Sequence, residues 1–345
     1  MTTTSQLHRP ISTAVGQRVL TGDRPTGPLH LGHYFGTVAN RVRLQQQGNE
    51  LFVVIADYQV ITDRDRPTDI AERTTGLVLD YLACGLDPKA TTIFAHSAVP
   101  ALHQLLLPFL SLVSTGELDR NPTVKQEIQL AGRRSVSGLM LTYPVHQAAD
   151  ILFCKAQLVP VGQDQLPHLE LTRTIGRRFN ERYGEVFPVP DGMLGDAPLL
   201  AGLDGRKMSK SLGNAIGLND SPDLVAAKVR AARTDSERAI SYEPDRRPEI
   251  ANLLRLAGLC QGGLDPRRVA EQVGTGGAAA LKQTVIDSVN GLLEPIRARR
   301  AQFEQADAGR ILANGAAAAR AIADRTLAEV VAAMGMDYQG LYRQR

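Results

Sequence analysis

Two histidines three residues apart, His30 and His33, lie in the stretch GDRPTGPLHLGHYFGT, residues 22–37. Its glycines at 22, 27, 32 and 36 keep side chains out of the way, so a ligand can approach the backbone. Residues 18–21 before it read as a short buried strand, and from Leu31 the pattern reads as a helix. A helix start offers free N–H groups and the positive end of the helix dipole, which suits phosphate. The spacing of the two histidines turns both toward one ligand. Further along, Lys207-Met208-Ser209-Lys210-Ser211 stands between Asp204-Gly205-Arg206 and Leu212-Gly213-Asn214. Lys207 and Lys210 can neutralise a triphosphate from one side. Ser209 and Ser211 add donors, and the flanking glycines permit closure. An exposed HxGH or KxxK is a weak signal by itself; the two in this order are a strong one.

The elements that would position these residues alternate. Residues 51–56 (LFVVIA) form an apolar run ended by Asp57, as in a strand covered on both faces. Residues 67–83 read as a helix, residues 91–95 as a strand, and residues 101–113 as a helix with Pro108 as an irregularity. This rhythm predicts an α/β fold, a Rossmann-like doubly wound parallel sheet with ligands beyond its carboxyl strand ends. Residues 115–185 read as a mostly helical insertion, broken near Pro144 and near residues 159–162. Residues 186–206 read as loops around a short strand at Leu199-Leu200. Residues 221–335 read as a C-terminal α-helical domain, opened by Ser221-Pro222-Asp223. The division expected is a tail over 1–16, a catalytic unit over 17–220 with its basic loop at 204–214, the helical domain, and a tail over 336–345.

The chain has 345 residues, 43 % of them apolar and 22 % charged, with a net charge of +3. Those values exclude a disordered or fibrous chain. The mild basic excess does not by itself require nucleic acid. Arginine clusters at 177–178, 246–247, 267–268 and 297–300 make a polyanion partner plausible on the C-terminal unit. Cys84, Cys154 and Cys260 form no CxxC pair, so no structural metal is expected. No signal core and no membrane-length apolar run is visible, and a cytoplasmic protein is expected. Trp is absent.

His30-Leu31-Gly32-His33 and KMSKS at 207–211 together resemble the two signature motifs of class I aminoacyl-tRNA synthetases, about 175 residues apart and in the family's order. A third segment resembles the bacterial-type tryptophanyl-tRNA synthetases: residues 141–151 (LTYPVHQAADI) followed by residues 159–173 (VPVGQDQLPHLELTR). The resemblance extends over nearly the whole chain. It implies that L-tryptophan is activated by ATP and passed to tRNA(Trp), that Mg²⁺ arrives with ATP, and that the enzyme is a homodimer. It implies that Asp150 accepts the indole N–H, that Val159 and Val161 wall the ring, and that Tyr143, Gln147 and Gln165 hold the ammonium end. Gly162 lets the ligand pass close, and Asp164 orders the ribose side. His30, His33, Lys125, Lys207 and Lys210 are the implied catalytic groups. Arg24, Thr26, Gly32, Met208, Ser209 and Ser211 complete the implied ATP site. The chain departs from the common bacterial pattern at Arg24, at Gln147 where methionine is usual, and at Gln59 where histidine is common. Its alternatives are a tyrosyl-tRNA synthetase, a nucleotidyltransferase of the wider HxGH group, and a divergent or non-catalytic paralogue.

Overall fold

The computed structural model describes residues 15–62, 69–131, 136–194, 200–206, 208–209 and 212–338. Residues 1–14 of the expected tail, Pro67, Leu199, Lys207, Lys210, Ser211 and residues 339–345 lie outside these. The first half holds β1 (Arg18–Asp23), α1 (Leu31–His33), α2 (Ala39–Gln46), β2 (Glu50–Ile55), α3 (Ile70–Ala83), β3 (Thr91–Ala95), α4 (Pro100–Gln104), α5 (Leu106–Leu110), α6 (Thr115–Arg120), α7 (Pro122–Ala131) and α8 (Gly138–Leu152). Then come β4 (Leu158–Val161), α9 (Leu166–Tyr183) and β5 (Asp191–Leu194). Helices α10 (Pro222–Ala231), α11 (Pro248–Cys260), α12 (Pro266–Val273), α13 (Gly277–Arg300) and α14 (Gln305–Ala333) follow.

The five strands form one parallel sheet in the order β3-β2-β1-β4-β5. Alternation along β2 explains why it is apolar throughout. Leu51, Val53 and Ile55 enter the core on one face, and Phe52 and Val54 enter the core on the other. The α/β sheet expected from the sequence is therefore present. The order in which strands are added reverses between β1 and β4, which run parallel and pair only at Val19 and Leu158. Pro160 lacks an N–H and cannot extend that pairing. The sheet opens at its switch point, where such folds place ligands.

One local expectation is corrected. Residues 101–113 are not one helix. The stretch breaks between α4 and α5, because Pro108 has no N–H for the carbonyl of Gln104. The strand expected at Leu199-Leu200 falls partly outside the described residues, and the loop stretch before it holds a strand the sequence did not show, β5, where Leu158 to Val161 pair with Asp191 to Leu194. Asp191 and Gly192 carry little strand propensity, so tertiary pairing decides this element.

A buried ion pair ties β1 to α2. Arg41 is 1 % exposed. Its guanidinium donates to Asp23 Oδ2 at 2.5 Å, to Thr21 Oγ1 at 3.0 Å and to the Gly22 carbonyl at 3.2 Å. The Tyr81 hydroxyl donates to the same Asp23 oxygen at 2.5 Å. Burial opposes the charged carboxylate, but Arg41 and Tyr81 overcome it and hold the Asp23 carboxyl below its ordinary value. Asp23→Asn should lower the unfolding free energy by about 2 kcal/mol at neutral pH, less than for a fully buried pair because Asp23 keeps some solvent contact. The folded-state value is the depressed one. The stabilisation is therefore complete above the unfolded value of about 3.9 and fades as pH falls through the folded value. Urea unfolding at neutral pH and near pH 3 checks this: the gap between variant and wild type narrows in acid.

The C-terminal helix returns to the sheet. A Cβ on Gly315 of α14 would lie 1.9 Å from the Ile93 carbonyl oxygen of β3, so only glycine allows this approach. Ala316, Ala319 and Ala323 bury in the same core as Phe94. Arg320 Nε donates to the Ala98 carbonyl at 2.5 Å. No described helix is long and apolar enough to cross a membrane.

Candidate active site

A cleft of about 380 Å³ opens at the switch point. Residues 20–24 at the end of β1 line it, with residues 159–162 at the end of β4 and Val54 and Ala56 from β2. From the helices come Thr37, Arg41, Gln147, Asp150 and Ile151, with Gln59 and Gln165 from short turns. Among the expected site residues, Arg24, Gln147, Asp150, Val159, Val161, Gly162 and Gln165 thus share one wall. A second cleft of about 480 Å³, between α3 and the α13–α14 turn, contains none of them.

The helix start beside this cleft is built by the histidines themselves. His30 Nδ1 accepts the Gly32 N–H at 3.1 Å, and His33 Nδ1 accepts the His30 N–H at 3.2 Å. This is a reciprocal cap, with imidazoles where serine and glutamate are usual. His30 is 7 % exposed, and the two rings stand 3.8 Å apart. The turn is fixed from both sides. The Leu29 N–H donates to the buried Asp80 carboxylate at 3.0 Å, and Asp80 also takes Asn219 at 2.9 Å and Arg300 at 3.2 Å. The Leu31 N–H donates to the Ile216 carbonyl, and the Leu218 N–H to the Leu29 carbonyl, both at 3.0 Å.

That second pairing sets the segment following Lys207–Ser211 against the helix start. A Cβ on Gly32 would lie 2.9 Å from His30 Cε1 and 3.4 Å from Met208 Sδ. Met208 is buried, and the Ser209 N–H donates to Asn214 Oδ1 at 2.8 Å. Asn214 in turn donates to Asp204 at 2.7 Å. That bond, with Arg206, holds the Asp204 carboxyl down at about 2. Thr26 is exposed in the preceding turn and Lys125 is exposed on α7; neither lines the cleft. Asp164 belongs to the turn Gln163–Gln165.

At the closed end, Asp150 is 3 % exposed and 3.2 Å from His96 Nδ1. His96 Nε2 accepts the Tyr58 N–H at 2.9 Å and lies 3.2 Å from Asp57 Oδ1. Neutral His96 therefore carries its proton toward Asp150; the protonated ring faces a carboxylate on each side. Burial opposes that charge, but Asp150 and Asp57 prevail and raise His96 above its ordinary value. Burial lowers the neighbouring His103 and His146.

His168 links the other polar side chains. It is 1 % exposed. Its Nε2 is 3.2 Å from the Tyr143 hydroxyl, and its Nδ1 is 3.0 Å from Gln147 Oε1 and 3.2 Å from Gln165 Oε1. Sequence reasoning assigned those three residues one task and missed the group between them. The arrangement combines a cleft lined by Val159 and Val161, a buried carboxyl acceptor, a polar cluster on α8 and α9, and a histidine-capped helix start after β1. Such a site can select a flat ring with one donor and bring its carboxyl group beside a nucleotide.

Residues 15–294 match the family of tRNA synthetases class I (W and Y). The chain is 44 % identical to a tryptophan–tRNA ligase of Treponema pallidum over 340 residues, covering 94 % of this chain and 98 % of that one. It is similar in structure to a tryptophanyl-tRNA synthetase of Mycoplasma pneumoniae, with TM-score 0.79, 29 % identity, and 94 % and 99 % of the two chains covered. It is also similar to one of Campylobacter jejuni complexed with ADP and tryptophan, with TM-score 0.80, 27 % identity, and 92 % and 99 % covered.

Proposed function

The chain belongs to the class I tRNA synthetases for tryptophan and tyrosine, and on that premise we propose that it activates L-tryptophan with ATP, releases pyrophosphate and passes the tryptophanyl group to the 3′ end of tRNA(Trp). Its activity is that of a tryptophan–tRNA ligase; its close relatives across the whole length are tryptophan enzymes, not tyrosine enzymes. The observation that carries the site reading is the cleft that Val159, Val161 and the buried Asp150 line together. An indole is an apolar slab with one donor and suits such a cleft.

The tryptophan carboxylate attacks the α-phosphorus of ATP, the bond to the β-phosphate bridging oxygen breaks, and pyrophosphate leaves. Positioning and charge neutralisation carry such a step. His30 and His33 at the helix start, Arg24, and the loop lysines Lys207 and Lys210 would meet the growing negative charge. The terminal ribose hydroxyl of tRNA then displaces AMP. Mg²⁺ belongs to the nucleotide in this reading. Asp23, the carboxylate at the β1 end of the cleft, is already held by Arg41 and Tyr81, so phosphate oxygens and water supply the ion's ligands.

The helical segment 221–335 is the proposed tRNA-reading part. Most of its arginine clusters are engaged within the chain. Arg246 pairs with Glu237 and Glu243, Arg247 with Asp235, and Arg300 with Asp80. Arg267 and Arg268 of α12 keep about 70 % of their side chains exposed and are better candidates for phosphate contact. A homodimer working in the cytoplasm is proposed with it. Leu107 of α5 is 77 % exposed, and the exposed Tyr58 ring stands 5.0 Å from the ring of His103 on α4.

Pyrophosphate exchange over the twenty amino acids tests the function. Tryptophan-dependent exchange is expected, and exchange with tyrosine alone would overturn it. His168→Leu fills the space but ends the hydrogen bonds to Tyr143, Gln147 and Gln165. It should raise KM for tryptophan about tenfold while moving kcat less. Exchange kinetics at varied tryptophan check this; an unchanged KM would release those residues from the ammonium end.

A further inference from the structure

Behind Asp150 lies a group of side chains that the reaction does not use. His146 and Asp150 stand four residues apart on α8, one above the other on the same face. His96 arrives from the turn after β3. All three are buried, and each offers a donor atom within 4.8 Å of the donors of the other two.

The outer ring nitrogens are already held. To ligate through Nδ1, His96 shifts its proton to Nε2, 3.2 Å from Asp57 Oδ1, while the Tyr58 N–H keeps its bond to Asp57 Oδ1 at 3.1 Å. His146 Nε2 is 2.8 Å from His103 Nδ1, and His103 Nε2 donates to the His96 carbonyl at 2.7 Å. A histidine held at its far nitrogen by a carboxylate or another fixed group is oriented as metal-binding histidines are. His146 Nδ1, by contrast, is buried with no hydrogen-bond partner, in a residue only 4 % exposed. Buried polar atoms of this kind call for an explanation.

We propose that His96, His146 and Asp150 form a binding site for a d-block divalent cation such as Zn²⁺, and that the cation competes with tryptophan for Asp150. Two imidazoles and one carboxylate suit Zn²⁺ or Co²⁺ rather than Mg²⁺ or Ca²⁺. Asp150 also lines the cleft, so the cation enters by the same mouth as tryptophan. The competition, though not the cation site, rests on Asp150 being the indole acceptor. The consequence is a ligase whose amino-acid affinity falls as free zinc rises.

The test uses the full chain, stripped with chelator and titrated with Co²⁺, whose visible absorption reports low-coordinate nitrogen and oxygen ligation. One Co²⁺ per chain is expected, displaced by Zn²⁺. His146→Leu should weaken Co²⁺ binding about a hundredfold, and His103→Leu about tenfold by freeing the far nitrogen of His146. Without added metal, His146→Leu should activate tryptophan at the wild-type rate, which shows that it folds. The chain lacks Trp, so the fluorescence of the bound amino acid is read against a dark background. Saturating Zn²⁺ should raise the apparent Kd for tryptophan at least about tenfold in the wild type and leave it unchanged in His146→Leu. Absence of Co²⁺ absorption would overturn the site. So would undiminished Co²⁺ affinity in His146→Leu, which would move the cation to other histidines. Tryptophan affinity indifferent to stoichiometric Zn²⁺ would overturn the competition. A chain that binds Co²⁺ as stated yet never binds tryptophan would sink the reading of Asp150 and leave the cation site standing.

Discussion

A tryptophan analogue with sulfur in place of the indole N–H will be activated about ten thousandfold less efficiently than tryptophan, and Asp150→Ala will shrink that gap to within about tenfold. A pocket built around one hydrogen bond rejects a ligand lacking the donor, because the protein's own buried acceptor is then left unpaired. Asp150 fits that description: it is 3 % exposed, and its ionic partner His96 is itself buried. Removing the carboxylate also disturbs His96, so the loss of tryptophan activity in Asp150→Ala is ambiguous alone. The ratio between the two substrates is not, since both meet the same disturbed network. kcat/KM for each substrate in pyrophosphate exchange provides the measurement. A wild-type enzyme that accepts the sulfur analogue within tenfold of tryptophan would remove Asp150 from ring recognition.

Lys210→Ala will slow adenylate formation by about two to three orders of magnitude, equivalent to about 2.7–4 kcal/mol of transition-state stabilisation, with little change in tryptophan KM. Lys207 and Lys210 bracket Met208 and Ser209 in sequence. Those two are fixed beside the helix start, Met208 against Gly32 and Ser209 through Asn214. Charge brought to a triphosphate from that side acts on the leaving pyrophosphate, where negative charge grows during the step. Single-turnover formation of the adenylate, with ATP and tryptophan saturating, separates this from binding. A wild-type rate in Lys210→Ala would discard the assignment.

Local chemistry made part of this site readable from sequence. The strand, the glycine-rich turn and the helix around His30 and His33 follow from spacing and breakers along one stretch of chain. So do the alternation of the first three strands and the start of α10 at Ser221 and Pro222. Long-range pairing hid the rest. His96 and Asp150 are 54 residues apart, and His103 and His146 are 43 apart. No period connects them, although His146 and Asp150 one helical turn apart were a signal available in the sequence. His168 stood within the quoted motif, but its link to Tyr143 depends on how α9 crosses α8. β5 carries aspartate and glycine where strands favour branched residues, so only its register against β4 identifies it. Nothing local marks Arg41 as a core residue; the depth of Asp23 and Tyr81 makes it one.

The last described helix also covers one edge of the sheet. With Gly315 against the backbone of Ile93, the flank of β3 is occupied there and is not free to pair with another molecule. The catalytic half is therefore not a cassette: cutting the gene before α14 would yield an insoluble fragment rather than a smaller enzyme. Recombination among synthetases could exchange the helices proposed to read tRNA only if it kept this last one in place.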